Sequence, residues 1–224
     1  MKALTDKYRL IENESMSING QKVYRIQAIR DIRIKRLNII VKSGSRGGYV
    51  SGYHNLSQDN NCWIDEDAIV YENATVISSG YVGGNSIVFG NAIVRKFGTI
   101  LGDAIVCGDK TIIDGTVSDC AVIMGGYIGS NCFVGGVTFV NHTTKIVGHT
   151  VIGIDRNNGK YKARGNFIGN TLIYGNVTID NVDDYGRIEL DEPITISDVH
   201  VSFTDDFNFG DCLILENEKT NKIE

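Results

Sequence analysis

YENATVISSGYVGGNSIVFGNAIVRKFGTILGDAIVCGDKTI, residues 71–112, carries the reading that decides the fold. Every sixth residue is Ile or Val: Val76, Val82, Val88, Val94, Ile100, Val106 and Ile112, preceded by Ile64 and Val70. Two residues before these positions the side chain is small, as at Ala68, Ala74, Ser86, Ala92 and Ala104. Gly falls four before, at Gly84, Gly90, Gly102 and Gly108, and Asn or Asp three before, at Asn73, Asn85, Asn91, Asp103 and Asp109. A period of six is neither the 2 of a simple strand nor the 3.6 of a helix. It fits a triangular coil, in which each hexad supplies one short side with an aliphatic residue pointing inward. Gly, Asn or Asp then takes the unusual backbone angles of each corner. Three sides make an 18-residue coil, so Val70, Val88 and Val106 are expected in one inward column of stacked parallel strands.

Working outward, a second run begins ten residues after Ile112: Val122, Ile128, Val134, Val140, Ile146 and Ile152. Its small positions are Cys120, Gly126, Cys132, Thr138, Thr144 and Thr150, so Cys120 and Cys132 read as corner fillers. A fragment follows at Phe167, Ile173 and Ile179, and the 15-residue gap after Ile152 predicts a loop near 153–166. The runs together amount to roughly five coils of repeat architecture. The open strand edges of such a stack need covers. Residues 1–61 read as a β-rich N-terminal cap with a hairpin about Asn19-Gly20, residues 62–180 as the repeat domain, and residues 181–224 as a C-terminal strand cap and acidic tail, with strand pieces at Arg187–Leu190 and 199–203.

The hexads resemble those of the hexapeptide-repeat family, and that resemblance, not the spacing, implies a left-handed parallel β-helix. The N-terminal segments KYRLI (7–11), VYRIQAIRDI (23–32), RGGYV (46–50), NLS (55–57) and NCWI (61–64) resemble the module that precedes the repeats in YdcK-like β-helix proteins of bacteria and their phages. Tyr49 stands where that family has Trp, the family's Glu is missing, and the segment 32–45 is longer. The resemblance implies fold and lineage, with no chemistry to carry over.

Composition agrees with an all-β chain: Gly occurs 26 times and Pro once. Charge is divided between the ends. Residues 1–50 hold eleven Lys/Arg against four Asp/Glu, and residues 180–224 hold three against thirteen. A basic end of this kind suits an acidic partner, and an acidic end repels one. The five cysteines are odd in number and form no CxxC pair, which predicts a reducing compartment without disulfides. No apolar run approaches the ~20 residues of a membrane span, and no secretory leader is evident, so a cytoplasmic protein away from membranes is expected.

The hexapeptide family includes acyltransferases whose catalytic base is a His near a looped-out segment, with acyl-CoA between subunits. His142, in FVNHTTKI, is the candidate base here, with His149 more readily an ordinary turn residue. The family's small-Pro-Ala-Lys/Arg segment is missing, since the one proline is Pro193 in DEPIT. A zinc hydratase of the same fold needs three converging His ligands, and His142 and His149, seven apart, do not fit its close pair. No metal and no cofactor is therefore expected. The basic stretch around Arg156, Lys160, Tyr161, Lys162 and Arg164 is the candidate binding site for an anion, a nucleic-acid backbone or a protein. Arg30, Arg33, Lys35 and Arg36 read as the outer face of an ordinary strand, and no phosphate-binding glycine loop occurs.

Outward residues that directly follow the inward ones include Tyr71, Ile77, Phe89, Leu101, Cys107 and Ile113. Tyr71, Phe89 and Cys107 recur at 18 and, with Leu101, predict an apolar interface of a homotrimer, unless a loop or the acidic tail covers the stripe. The function expected from the sequence is a non-catalytic β-helix scaffold of phage or bacterial origin that acts through protein–protein contacts. The alternatives are an acyl-CoA-dependent acyltransferase using His142 and an anion- or nucleic-acid-binding module.

Overall fold

The structure, a computed structural model, describes residues 6–136, 138–140, 145–154, 161–173, 176–179, 194–195 and 201–203. The described residues form a β-solenoid of about five turns. Strands of two residues pair in parallel with those 18 residues away, as in Ile69↔Ile87↔Ile105 and Val70↔Val88↔Val106. Val70, Val88 and Val106 are fully buried in one column, as the period of six requires. The second side stacks Val76, Val94, Ile113, Ile128 and Ile146, and the third stacks Val82, Ile100, Val117 and Val134, all with no accessible surface.

The register after Val106 departs from the expectation. Ile113 and Ile123 point inward, whereas Ile112 and Val122 are partly exposed. Pairing proves the shift: Val94 lies beside Ile113 and Val106 beside Ile123. The cause is one extra residue at the corner Cys107–Thr111, where Lys110 takes a positive φ of 60° and the buried Thr111 hydroxyl bonds to the Cys107 carbonyl. Side chains alternate faces along a strand, so a one-residue slip exchanges inside for outside. Ala121 therefore fills the interior and Cys120 is exposed, while Cys132 is buried two residues before Val134 as anticipated.

The hairpin about Asn19-Gly20 is present. β1 (Tyr8–Ile18) and β2 (Gln21–Ala28) pair antiparallel across two positive φ angles of 49° and 79°, as a type I′ turn demands. Between this hairpin and the coils lie β3 (Ile32–Ile34), a 3₁₀ turn at Lys35–Leu37, β4 (Ile39–Val41) and β5 (Arg46–Val50). β2 pairs antiparallel with β5, and β5 pairs parallel with Ile69–Val70, so the N-terminal strands extend the first side of the stack. The glycines of RGGYV have a packing reason. A Cβ on Gly47 would sit 2.4 Å from the Ile64 carbonyl oxygen, and one on Gly48 would sit 2.3 Å from that of Ala68. Buried Lys7 ties β1 to the loop before the first full coil, its Nζ donating to the Cys62 carbonyl at 2.8 Å and lying 3.0 Å from the Cys62 thiol. Burial lowers this amine below the ordinary lysine range.

At the far end, Lys145–Ile154 pairs in parallel with both Tyr127–Ile128 and Phe133–Val134. Tyr161–Ile173 then runs back antiparallel against it, with Phe167 opposite Ile146. The expected continuation of hexads through Phe167 and Ile173 is thus replaced by a return strand. Val201–Phe203 pairs antiparallel with Gly169–Thr171, while Arg187–Leu190 lies outside the described residues. No helix among the described residues is long and apolar enough to cross a membrane.

The register assignment has a direct test in chemical denaturation. Ile113→Ala should cost about 2–5 kcal/mol, as for an aliphatic side chain deleted from a packed core. Ile112→Ala, at a partly exposed position, should cost about 1 kcal/mol or less. Equal losses would place both residues at the boundary and contradict the inward assignment.

Candidate functional site

The second and third sides meet at a corner built from four residues in most coils. Ile77–Gly80, Arg95–Gly98 and Gly129–Cys132 each close with the fourth amide donating to the first carbonyl, at 3.0, 2.7 and 3.0 Å. In the intervening coil the turn is shortened to Asp114 and Gly115, both of whose amides donate to the Ile128 carbonyl at 2.8 and 3.1 Å. Two residues are missing, so this corner is retracted relative to its neighbours. The retraction leaves a notch of about 610 Å³ lined by Arg36, Ser78, Ser79, Lys96, Phe97, Ser130 and Asn131. The lining comes from coils on both sides of the short turn and skips the turn itself. Gly115 has no alternative there, since its Cβ would lie 2.2 Å from the Gly129 carbonyl oxygen.

Beside the notch, in the short turn itself, is a buried carboxylate. The Asp114 side chain has no accessible surface, and it accepts from Arg95 Nε at 2.9 Å and from the Tyr127 hydroxyl at 3.0 Å, with Lys96 Nζ at 2.8 Å. Burial alone pushes this carboxyl up, but the hydrogen bonds from Lys96, Arg95 and Tyr127 outweigh burial and hold it below the usual range. The same contact raises the Lys96 ammonium. Over the notch, Arg36 donates from Nη1 to the Phe97 carbonyl and from Nη2 to Thr116 Oγ1 at 3.5 Å. Phe97 itself is 54% exposed, the most exposed large hydrophobic residue among those described. The arrangement offers an apolar ring, two cationic side chains, three hydroxyls and an amide on a rigid frame.

Few of the site residues expected from the sequence come together here. His142, Arg156 and Lys160 lie outside the described residues. Tyr161, Lys162 and Arg164 lie at the start of the return strand, in register with Ile154, Gly153 and Val151. His149 lies in the preceding strand. Arg36 belongs to the 3₁₀ turn and crosses to the solenoid, rather than lining the outer face of a strand.

The outward stripe does form in part. Tyr71 and Phe89 stack with ring centroids 5.2 Å apart, and Cys107 follows in the column. Tyr71 and Cys107 are nonetheless buried within one chain, and Asn19 Nδ2, at the tip of the N-terminal hairpin, donates to the Tyr71 hydroxyl at 3.1 Å. Phe89 remains half-buried, as does Leu101, which sits on a different corner. Ile113, expected in the outward set, is part of the core.

Lys96, Phe97 and Asp114 escaped the sequence reading because it sought chemistry in histidines and in charge runs. The signal that marks them is the break in the period of six between Val106 and Ile123. Among the described residues no group of three or more His, Cys, Asp or Glu side chains is placed to hold a metal ion. Comparison of the chain with protein-family models and with curated proteins finds no match.

The Asp114 cluster predicts a pH signature. An aspartate free in the unfolded chain titrates near pH 3.9. With its folded value lower, the stabilisation is complete well above that point and is lost as pH falls through the folded value. Asp114→Asn should therefore destabilise by about 1.5–3 kcal/mol at pH 7, measured by urea denaturation. That gap should close steadily below about pH 4. A gap independent of pH down to 2.5 would show that the carboxylate charge plays no part.

Proposed function

We propose that this chain is a non-catalytic β-helix scaffold acting through protein–protein contacts, and that the notch at the shortened corner is its contact surface. The observation that carries this reading is Phe97, exposed at the mouth of a notch whose frame is fixed by coil-to-coil hydrogen bonds. Contacts of this size draw their strength from an apolar anchor seated in a pocket and their orientation from a polar rim. Ser78, Ser79, Ser130 and Asn131 supply such a rim with short side chains that lose little freedom on binding. A solenoid adds stiffness, because each coil is held by its neighbours and the groove need not be ordered at the moment of binding. We also assign the chain to the hexapeptide-repeat, YdcK-like lineage, supported by the close packing that RGGYV makes with Ile64 and Ala68.

Panning of a random twelve-residue peptide display library on the immobilised chain tests the contact reading. Peptides should enrich on the wild-type protein and bind Phe97→Ala at least tenfold more weakly, with unchanged thermal denaturation of the variant. Failure to enrich any peptide whose binding depends on Phe97 would remove the notch as a contact surface.

A further inference from the structure

We infer, resting on the reading of the notch as a contact surface, that its partner is an acidic peptide segment that sets a carboxylate on Arg36 and an apolar side chain on Phe97. The argument begins with charge. Among the described residues Asp114 is the one carboxylate in the turns Ile77–Gly80, Arg95–Gly98, Asp114–Gly115 and Gly129–Cys132 of this corner, and it is already engaged by Arg95, Lys96 and Tyr127. Arg36, by contrast, donates to neutral oxygens among the described residues, the Phe97 carbonyl and the Thr116 hydroxyl. With Arg36, Arg95 and Lys96 set against Asp114, the corner carries a surplus of two positive charges. The two bonds Arg36 makes hold its guanidinium beside the notch, which cuts the entropy lost when an anion arrives. A guanidinium fork matches the two oxygens of a carboxylate, and such charge-assisted pairs are shorter and stronger than neutral ones.

The neighbours of Arg36 decide between classes of anionic partner. A nucleic-acid strand is followed by a continuous basic track with repeated aromatic platforms. Above and below it the notch is lined by Ser78, Ser79, Ser130 and Asn131, and Phe97 is the single aromatic ring of that lining. One cation fork beside one apolar seat, with hydroxyls and an amide between, fits a short peptide that carries a carboxylate next to a Leu or Phe.

Fluorescence polarisation with labelled twelve-residue peptides tests this on the full chain. The probes are a Glu-rich peptide with a central Leu-Phe pair, its Gln analogue, the Glu-rich peptide with Gly replacing the pair, and a single-stranded twelve-nucleotide DNA. The Glu-rich peptide with its apolar pair should saturate, and both the Gln and the Gly analogues should bind at least tenfold more weakly. Arg36→Gln should abolish the preference for Glu over Gln, while Arg36→Lys, which keeps the charge and loses the fork, should retain part of it. Arg36→Lys also serves as the reading variant if Arg36→Gln lowers thermal stability. Equal binding of the Glu and Gln peptides, or a Glu preference that survives Arg36→Gln, would overturn the inference. So would absence of binding by the Glu-rich peptide, or Arg36-dependent binding of the DNA tighter than that of the peptide. Neutral peptides enriched in panning and dependent on Phe97 would then leave the contact surface standing and remove only its preference for acid.

Discussion

Each coil of this molecule gives its backbone amides to the carbonyls of the next. Ile69 donates to Ser86, Ile87 to Ala104 and Ile105 to Ala121, each at 2.9 Å, and the same ladder runs along the other two sides. Everything else depends on this axial pairing. Strand pairs of two residues are too short to persist alone, and only stacking on both sides makes them stable. The pairing also forbids any change of length within a side, because a slip there would move an aliphatic residue from the interior to water. Insertions and deletions are confined to corners. The extra residue near Lys110 and the two residues missing at Asp114–Gly115 obey this constraint, and the columns resume beyond them unbroken.

Corners in turn are more than places where the backbone bends. Glu66, Glu72 and Asp119 adopt positive φ angles of 55°, 54° and 58°, which favour glycine over a residue with a Cβ. Their carboxylates recover part of that cost. Glu72 accepts from the Gly90 amide at 2.9 Å and Asp119 from the Gly136 amide at 2.8 Å, each one coil further on. The Asn/Asp positions beside them form ladders of their own, with Asn85 Nδ2 donating to Asp103 at 2.9 Å. The side chains that tolerate the corner therefore also tie successive corners together. At the shortened corner between the second and third sides the tie is a buried ion cluster. Asp114 takes hydrogen bonds from the coils on either side and compensates the local loss of turn structure.

The notch follows from the same economy of length. Beside the shortened turn Phe97 stands exposed, and Arg36 of the 3₁₀ turn reaches across to its carbonyl. The feature most suited to recognition thus arises where the repeat is broken, on a frame that the unbroken repeats hold rigid.

The sequence by itself determined the architecture, because a strict period of six with small and positive-φ residues at fixed offsets satisfies no other regular backbone. It also determined the Asn19-Gly20 hairpin, whose two residues accept angles that most others resist. Even the true register beyond Val106 was written there. Thr111, Gly115 and Ala121 are the small residues that precede Ile113, Val117 and Ile123, although Ile112 and Val122 satisfied the aliphatic rule equally well. Adjacent β-branched residues make a one-position error invisible to hydrophobicity, and only the pairing of neighbouring coils settled which of each pair faces inward. The tertiary structure alone decided that the tip of the N-terminal hairpin reaches Tyr71, that the strand after Ile154 turns back, and that Arg36 meets Phe97 61 residues away. Those contacts join segments whose local sequences carry no mark of each other, so nothing short of the folded chain brings them together.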